Sequence, residues 1–225
     1  MNIRARKRQV GKPVIKKDTI ADWCEKNLDL NLRSYQKNII NSTNKIRLGH
    51  WGRRTGKSAA LCSIAINEAF HYKKSVILLS PDTNMKKCID SDLRTLIKLS
   101  SLKTNNTTAD TITFGKGNIN MYSLSGRLGN SVCGISPDVI LIDEMEYISQ
   151  EIIENNIMPL LISNPYNKIV CLSTKASGSE NNFKGLMNIP HFYSSIKTDN
   201  SETNNILPPS YAMSHTAYNL EYTDY

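Results

Sequence analysis

Short apolar runs bounded by polar or turn-forming residues recur along the chain and predict the strands of a sheet. Three such runs lie at positions 76–79, 139–142 and 168–172, and the segment 46–50 is short enough to be a fourth strand. A continuous apolar run gives a strand no polar face. Each of these strands is therefore expected to be covered on both sides, as in a mostly parallel sheet.

Between these runs, apolar residues recur at the three- and four-residue spacing of helices. The predicted helices cover residues 18–28, 34–44, 57–71, 84–99 and 150–158. Asp18 or Thr19 is expected to cap the first of them and Ser34 the second. Two further segments, 111–114 and 119–124, flank a Gly-Lys-Gly turn signal and predict a hairpin. The alternation of strands and helices predicts an α/β fold with helices on both faces of the sheet.

The net charge of +8 is concentrated at the amino terminus. Residues 1–17 contain seven Lys and Arg residues and no acid, so the rest of the chain is nearly neutral. This segment has little apolar content and is predicted to be a flexible arm, either a solvated tail or an arm that binds phosphates or a partner. No apolar segment follows it as in a secretory signal, and no run is long enough to span a membrane. No membrane association is expected.

The five cysteines are an odd number at wide spacings, without a Cys-x-x-Cys pair. Most lie in apolar or helical patterns, which is typical of reduced core residues rather than of a metal site. The cysteines expected to be buried are Cys24, Cys62, Cys88, Cys133 and Cys171.

The strongest chemical signal is the run Trp51-Gly52-Arg53-Arg54-Thr55-Gly56-Lys57-Ser58, between a short strand and a helix. In such a loop, backbone N–H groups and the helix N-terminus face a polyphosphate. The lysine reaches the β- and γ-phosphates, and the serine hydroxyl binds Mg²⁺. The usual P-loop has a glycine where this chain has Trp51, so the motif alone is imperfect.

A second signal is the apolar strand at 139–142, which ends in Asp143 and Glu144. A buried parallel strand delivers its last residues to the carboxyl edge of the sheet, where nucleotides bind in open α/β folds. Asp143 is expected to hold Mg²⁺, and Glu144 to orient and deprotonate an attacking water. A strand that runs into an acidic helix cap has a similar pattern, and the loop at 51–58 favours the metal site.

Together, the loop at 51–58, the apolar strand with its Asp-Glu pair and the later Ser173-Thr174 resemble the ATPase domain of the large terminase subunit of tailed viruses. The resemblance implies a three-layer P-loop NTPase of the RecA-like, ASCE type that uses ATP and Mg²⁺. It also implies a motor that pumps double-stranded DNA into a procapsid, with the portal protein and the small terminase subunit as partners. A homo-oligomeric ring on the portal, a pentamer, would form in the host cytoplasm, outside the mature virion.

The resemblance also implies roles for single residues. Gln36, in the segment 32–36, is similar to the adenine-recognising glutamine of terminases, although a surface glutamine on a helix is the commoner meaning. Arg53 is expected to stabilise transition-state charge together with Lys57. Ser173 and Thr174 resemble the coupling motif that senses the γ-phosphate. The remaining residues expected to contact nucleotide or its metal are Gly52, Arg54, Thr55, Gly56 and Ser58.

An arginine that acts on a neighbouring subunit's nucleotide is typical of the family. The family position holds Cys133-Gly134 here, and Arg127 is the nearest basic candidate, the other interpretation being a solvated turn residue. The ATPase domain is predicted to span 18–200, and 201–225 to be linker-like. The stretch of chain after Thr174 is too short for the nuclease domain of a large terminase, so that domain is expected to be absent.

Two other functions remain open at this point. The first is a superfamily 2 helicase-like DNA translocase, although no second RecA-like lobe and no Ser-Ala-Thr motif are found. The second is a non-enzymatic nucleotide-binding module that takes part in assembly through its basic arm.

Overall fold

A computed structural model describes residues 18–125, 135–164, 166–174, 186, 191–198 and 218–224. The strands within these residues are β1 Ile46–Trp51, β2 Ser75–Ser80, β3 Asn106–Thr107, β4 Thr111–Phe114, β5 Gly117–Ser123, β6 Val139–Asp143, β7 Lys168–Ser173, β8 His191–Thr198 and β9 Tyr218–Asp224. These nine strands form one sheet in the order β3-β4-β5-β2-β6-β7-β1-β8-β9. The six strands from β5 to β8 in this order are parallel, and the outer pairs β3-β4, β4-β5 and β8-β9 are antiparallel.

The helices lie on both faces of this sheet. They are α1 Ile20–Leu28, α2 Ser34–Asn41, α3 Lys57–Ile66, α4 Thr83–Leu99, α5 Gln150–Ile152 and α6 Met158–Ser163. A π-helical turn, Asn67–His71, extends α3, and a second one, Ile153–Ile157, joins α5 to α6. A 3-10 turn, Met145–Tyr147, follows β6. In the described part of the chain, no helix is long and apolar enough to cross a membrane.

Alternate residues of the inner strands face two separate hydrophobic clusters. Val76 and Leu78 of β2 pack with the apolar faces of α1 to α4, whereas Ile77 and Leu79 pack with the segment from Met145 to α6. This alternation produces the three layers and confirms the predicted α/β architecture with its mostly parallel sheet. It also accounts for the fully apolar runs, because both faces of these strands are covered.

Several predicted boundaries differ from the structure. The second helix ends at Asn41 rather than at residue 44, because Ser42 leaves the helical conformation with ψ 133° and the Arg47 guanidinium donates to the carbonyls of Ile39 and Ile40. Its N-cap is Arg33, not Ser34, and the Gln36 side chain accepts the Arg33 N–H. Thr19, in contrast, caps α1 as predicted.

Three other expectations need correction. Cys24, Cys62 and Cys171 are buried, but Cys88 is exposed because it lies on the outer face of the amphipathic helix α4. The segment 201–225 is not wholly a linker, since β9 pairs with β8 and extends the sheet. The helix predicted at 150–158 continues to Ser163. Cys133 and the basic arm 1–17 lie outside the described residues.

A buried carboxylate joins α3's π-helical turn to the sheet. The Glu68 side chain is 2% exposed and lies 2.9 Å from Lys168 Nζ and 3.0 Å from Lys74 Nζ. Burial alone would raise the pKa of Glu68, but the hydrogen bonds and charges of Lys168 and Lys74 bring it below its usual value. A depressed carboxyl pKa stabilises the fold above the unfolded pKa, and this contribution is lost as the pH falls through the folded one.

Replacing Glu68 by glutamine is expected to lower the free energy of unfolding at pH 7 by about 2–3 kcal/mol, because the ammonium groups of Lys74 and Lys168 lose the negative charge with which they pair. Urea unfolding of both chains measures the difference, which should shrink as the pH is lowered and Glu68 of the parent is protonated. Glu154→Gln, on an exposed helical position, serves as the control. A difference that stays constant with pH would contradict the ion-pair explanation.

Candidate active site

The loop from 51 to 58 connects β1 to α3 and turns through two left-handed residues. Arg54 has φ 61° and Gly56 has φ 81°, and Gly56 is the N-cap of α3. The Thr55 hydroxyl donates to the Gly52 carbonyl at 2.8 Å and closes the loop on itself. The first turn of α3 therefore directs its N-terminal backbone N–H groups toward the mouth of the loop, which is the arrangement that binds phosphate.

Helix α2 supports this loop from behind through two hydrogen bonds. The Tyr35 hydroxyl donates to the Thr55 carbonyl at 2.8 Å, and Gln36 Nε2 donates to the Gly56 carbonyl at 3.1 Å. Gln36 is fully buried, so it is not the surface glutamine of the alternative interpretation. The predicted adenine contact of Gln36 stays a prediction. Tyr35 was not among the predicted site residues, although its place beside Gln36 at the start of α2 was visible in the sequence.

Trp51, where a P-loop usually has glycine, is the last residue of β1 and belongs to the core. Its indole N–H donates to Ser194 Oγ of β8 at 2.8 Å, and its ring meets Tyr35 edge to face at 5.0 Å. A Cβ on Gly49 would lie 2.6 Å from a Leu172 methyl carbon and 3.0 Å from the indole nitrogen, so a glycine at 49 makes room for this packing. The large side chain thus anchors the start of the loop without entering its mouth.

Lys57 is at the centre of the site. Its ammonium group lies 2.7 Å from Thr174 Oγ1, 3.2 Å from Glu144 Oε1 and 3.3 Å from the carbonyl oxygens of Trp51 and Gly52. The side chain is only 8% exposed. The three segments that carry the resemblance, namely the loop, the end of β6 and the end of β7, therefore meet at one ammonium group.

Glu144 follows the last residue of β6 and is held from several sides. Its Oε2 accepts the Thr174 N–H at 2.6 Å and the Ser173 hydroxyl at 3.2 Å, and its Oε1 accepts the Thr174 hydroxyl at 3.0 Å. Strand β7, which ends in Ser173, lies between β1 and β6. The ends of β6 and β7 are therefore neighbours, and their side chains contact each other directly.

Asp143 is a buried carboxyl group with a raised pKa. Burial and the neighbouring charges of Glu144 and Asp92, opposed by Lys57, raise its pKa from 3.8 to about 7. Its negative charge is therefore poorly compensated by the protein alone, and a divalent cation would relieve it. Carboxylate and serine hydroxyl groups are oxygen donors of the type that Mg²⁺ prefers, with the remaining positions taken by phosphate and water. Asp143 and Ser58, half-buried in the first turn of α3, fit such an ion.

The two arginines of the loop, unlike Lys57, have exposed side chains. Arg53 and Arg54 are both exposed at the turn of the loop. Their predicted contacts are with the phosphates of a nucleotide that binds from the solvent side. These contacts remain predictions. Arg127 lies outside the described residues.

Replacing Gln36 by leucine is expected to weaken the binding of both ATP and GTP by about fivefold, because the loop loses a buried hydrogen bond worth about 1 kcal/mol. Competition binding against a fluorescent nucleotide measures both affinities. The predicted adenine contact adds a further loss of affinity for ATP, and equal losses for the two nucleotides would contradict that contact. Asn38→Leu, on the same helix, is the matched amide control.

The structure is similar to that of the ATPase domain of the large terminase from Thermus phage P74-26, with a TM-score of 0.61, 17% sequence identity and 72% of each chain covered. It is also similar to the large terminase of a thermophilic bacteriophage in complex with ADP, at TM-score 0.57 and 14% identity over 72% of this chain and 45% of that one. The large terminase of bacteriophage HK97 matches at TM-score 0.56 and 12% identity, over 65% and 34% of the two chains.

No protein-family model and no curated protein matches the sequence. The structural likeness shows that this chain has the RecA-like fold of large terminase ATPase domains. The chain corresponds to less than half the length of the ADP-bound terminase and of the HK97 terminase that it matches.

Proposed function

We propose that this chain is the ATPase motor domain of a viral large terminase, which hydrolyses ATP with Mg²⁺ to translocate double-stranded DNA into a procapsid. The observation that carries the proposal is the meeting of Lys57, Glu144 and Thr174 at the mouth of loop 51–58. A cation, a carboxylate and a hydroxyl within 3.2 Å of one another match the needs of phosphoryl transfer to water. The likeness to the phage proteins supports the assignment to DNA packaging.

The present contacts of Glu144 suggest how the site would respond to a nucleotide. The two groups that contact its Oε1 are Lys57 Nζ and Thr174 Oγ1, and both are predicted to bind the γ-phosphate. A bound phosphate would draw these groups away from Oε1, while Oε2 would keep its hydrogen bond from the Thr174 N–H. Oε1 would then be free to accept a proton from water.

The other residues would supply charge and orientation. Lys57 would neutralise the terminal phosphates, and Arg53 would add a second positive charge from the exposed side of the loop. Asp143 and Ser58 would hold Mg²⁺, which when bound supplies charge neutralisation at the β- and γ-phosphates. Burial of Asp143 and Lys57 strengthens these interactions, because the local dielectric is lower than that of water.

The wider setting is also part of the proposal. Double-stranded DNA, the portal protein and the small terminase subunit are the proposed partners, with a pentameric ring on the portal as the working assembly in the host cytoplasm. The three similar solved structures are of large terminases or their ATPase domain, and one of them is a complex with ADP. The basic residues at 1–17 would add phosphate contacts to DNA.

Single-turnover hydrolysis of γ-labelled ATP, with the protein in excess, tests the proposal. Phosphate release is expected with Mg²⁺, none is expected with EDTA, and double-stranded DNA is expected to bind in a salt-dependent manner. Hydrolysis that is stimulated only by single-stranded DNA would favour a helicase-like translocase. Nucleotide binding without any hydrolysis, even with portal-bearing procapsids present, would favour the non-enzymatic assembly module.

A further inference from the structure

A buried histidine and a buried glutamate form a pair beside the candidate active site that the proposed chemistry does not use. His50 Nε2 lies 2.7 Å from Glu146 Oε1, and the two side chains are 7% and 2% exposed. On its other side, His50 Nδ1 lies 3.0 Å from the Tyr193 hydroxyl of β8. With Glu146 as a carboxylate, which only accepts hydrogen bonds, the pairing assigns the donated hydrogen to Nε2.

This pair links two segments of the site that are distant in sequence. His50 is the residue before Trp51, at the end of β1 where loop 51–58 begins, and it is in register with Ser173 of β7. Glu146 lies in the 3-10 turn that directly follows Glu144. The hydrogen bond from His50 therefore fixes the turn behind Glu144 to the strand that carries the loop.

A chain of hydrogen bonds continues from this pair to Glu144. The Glu146 N–H donates to Ser173 Oγ at 3.1 Å, and the Ser173 hydroxyl has two acceptors at 3.2 Å, Glu144 Oε2 and the Thr174 carbonyl oxygen. A shift of Glu146 would move the N–H that orients the Ser173 hydroxyl. The carboxylate of Glu144 would then lose one of the contacts that fix it.

The backbone of Glu144 gives an independent reason for such a constraint. Its φ of 50° and ψ of 49° lie in the left-handed region, which is unfavourable for a residue with a Cβ. A strained conformation of this kind persists only where its surroundings hold it, and such residues cluster at active sites. The turn that holds it begins at the next residue, and Glu146 is the buried charged group of that turn.

We propose that His50 and Glu146 are positioning residues that hold Glu144 in its left-handed conformation and aim its carboxylate at the mouth of loop 51–58. The catalytic part of this inference rests on the proposed function. The geometric part does not, because it concerns contacts of the chain with itself. Tyr193 supports the pair from β8 and fixes the orientation of the imidazole ring.

Three histidine variants separate positioning from general stability. His50→Leu removes both hydrogen bonds, and His50→Gln keeps an N–H near the position of Nε2. His191→Leu is the matched control. His191 is also buried, but it lies beside Ile46 at the start of the strands, whereas His50 lies near the end of β1. We expect His50→Leu to lower kcat at least tenfold with KM within about twofold, as for a group that acts mainly in the transition state. His50→Gln should recover most of the loss, and His191→Leu should keep the parent's kcat.

Amide hydrogen exchange gives a second readout that needs no hydrolysis. The N–H groups of Glu146 and Thr174 both donate within the network around Glu144. We expect faster exchange at these two amides in His50→Leu and in the isosteric variant Glu146→Gln, with parent-like exchange in His191→Leu. If the parent fails to hydrolyse ATP, the proposed function fails, and the exchange rates still decide whether the pair holds Glu144.

Two results would overturn the inference. One is a folded His50→Leu chain with unchanged exchange at Glu146 and Thr174. The other is an equal change in kcat or in exchange for His191→Leu, which would mean that the pair contributes only to general stability.

Discussion

Replacing Glu144 by glutamine is expected to lower kcat for ATP hydrolysis by about 10²–10⁴-fold, the range that a positioned general base contributes. The amide has nearly the same shape as the carboxylate, and its oxygen can still accept the Thr174 N–H. It cannot take a proton from water at neutral pH. Nucleotide affinity should stay close to that of the parent, because Lys57 and the loop are unchanged.

The measurement is steady-state phosphate release together with equilibrium binding of a fluorescent nucleotide. Glu151→Gln makes the same chemical change at an exposed position and should match the parent in both assays. A Glu144→Gln chain that hydrolyses ATP as fast as the parent would remove Glu144 from the catalytic assignment. A loss of binding as large as the loss of kcat would make its role structural.

Replacing Asp143 by asparagine is expected to have opposite effects on activity and stability. Hydrolysis should be lost, since the buried carboxylate that would hold Mg²⁺ is removed. Without metal, however, the folded chain should become more stable at pH 8, by about 2–4 kcal/mol, because the folded protein no longer has to hold a poorly compensated charge.

The sign of this stability change follows from the raised pKa of Asp143, from 3.8 to about 7. Between these two values the unfolded carboxyl group has lost its proton and the folded one retains it. Folding therefore binds a proton, and this group makes the parent less stable as the pH rises toward 7. Below the unfolded pKa both states are protonated, and the penalty is absent.

Urea unfolding in EDTA at pH 4 to 8 measures this effect, with hydrolysis measured in Mg²⁺. Asp18→Asn, at an exposed position, is the control. If Asp143→Asn is less stable than the parent at pH 8 without metal, the electrostatic account is wrong. If it hydrolyses ATP normally, Asp143 is not a metal ligand.

The sequence predicted the strands and the central site because their signals are local and continuous. A continuous apolar run predicts a buried strand. Asp143 and Glu144 follow such a run directly, so their position at the edge of the sheet follows from this segment alone. The order of β1, β7 and β6 then brings Thr174 to Lys57. Each of these signals is contained in a short stretch of neighbouring residues.

The parts that the sequence did not predict depend on single side chains that meet across long separations. His50 and Glu146 are 96 positions apart, and neither belongs to a periodic pattern. Trp51 looked like a defect of the phosphate loop, yet it is a core residue because β1 continues one residue beyond the predicted strand. Helix α2 is shorter than its apolar pattern because the Arg47 guanidinium binds its last carbonyls. Such contacts are a property of the folded arrangement rather than of any local segment.

The central claim is that loop 51–58 and the ends of β6 and β7 form one Mg²⁺-nucleotide site. Calorimetric titration of ATPγS into the parent chain, with and without Mg²⁺, tests this claim most directly. We expect one nucleotide bound per chain, with an affinity that EDTA lowers and that Lys57→Ala abolishes. The absence of binding by the parent, or equal binding by Lys57→Ala, would contradict this claim.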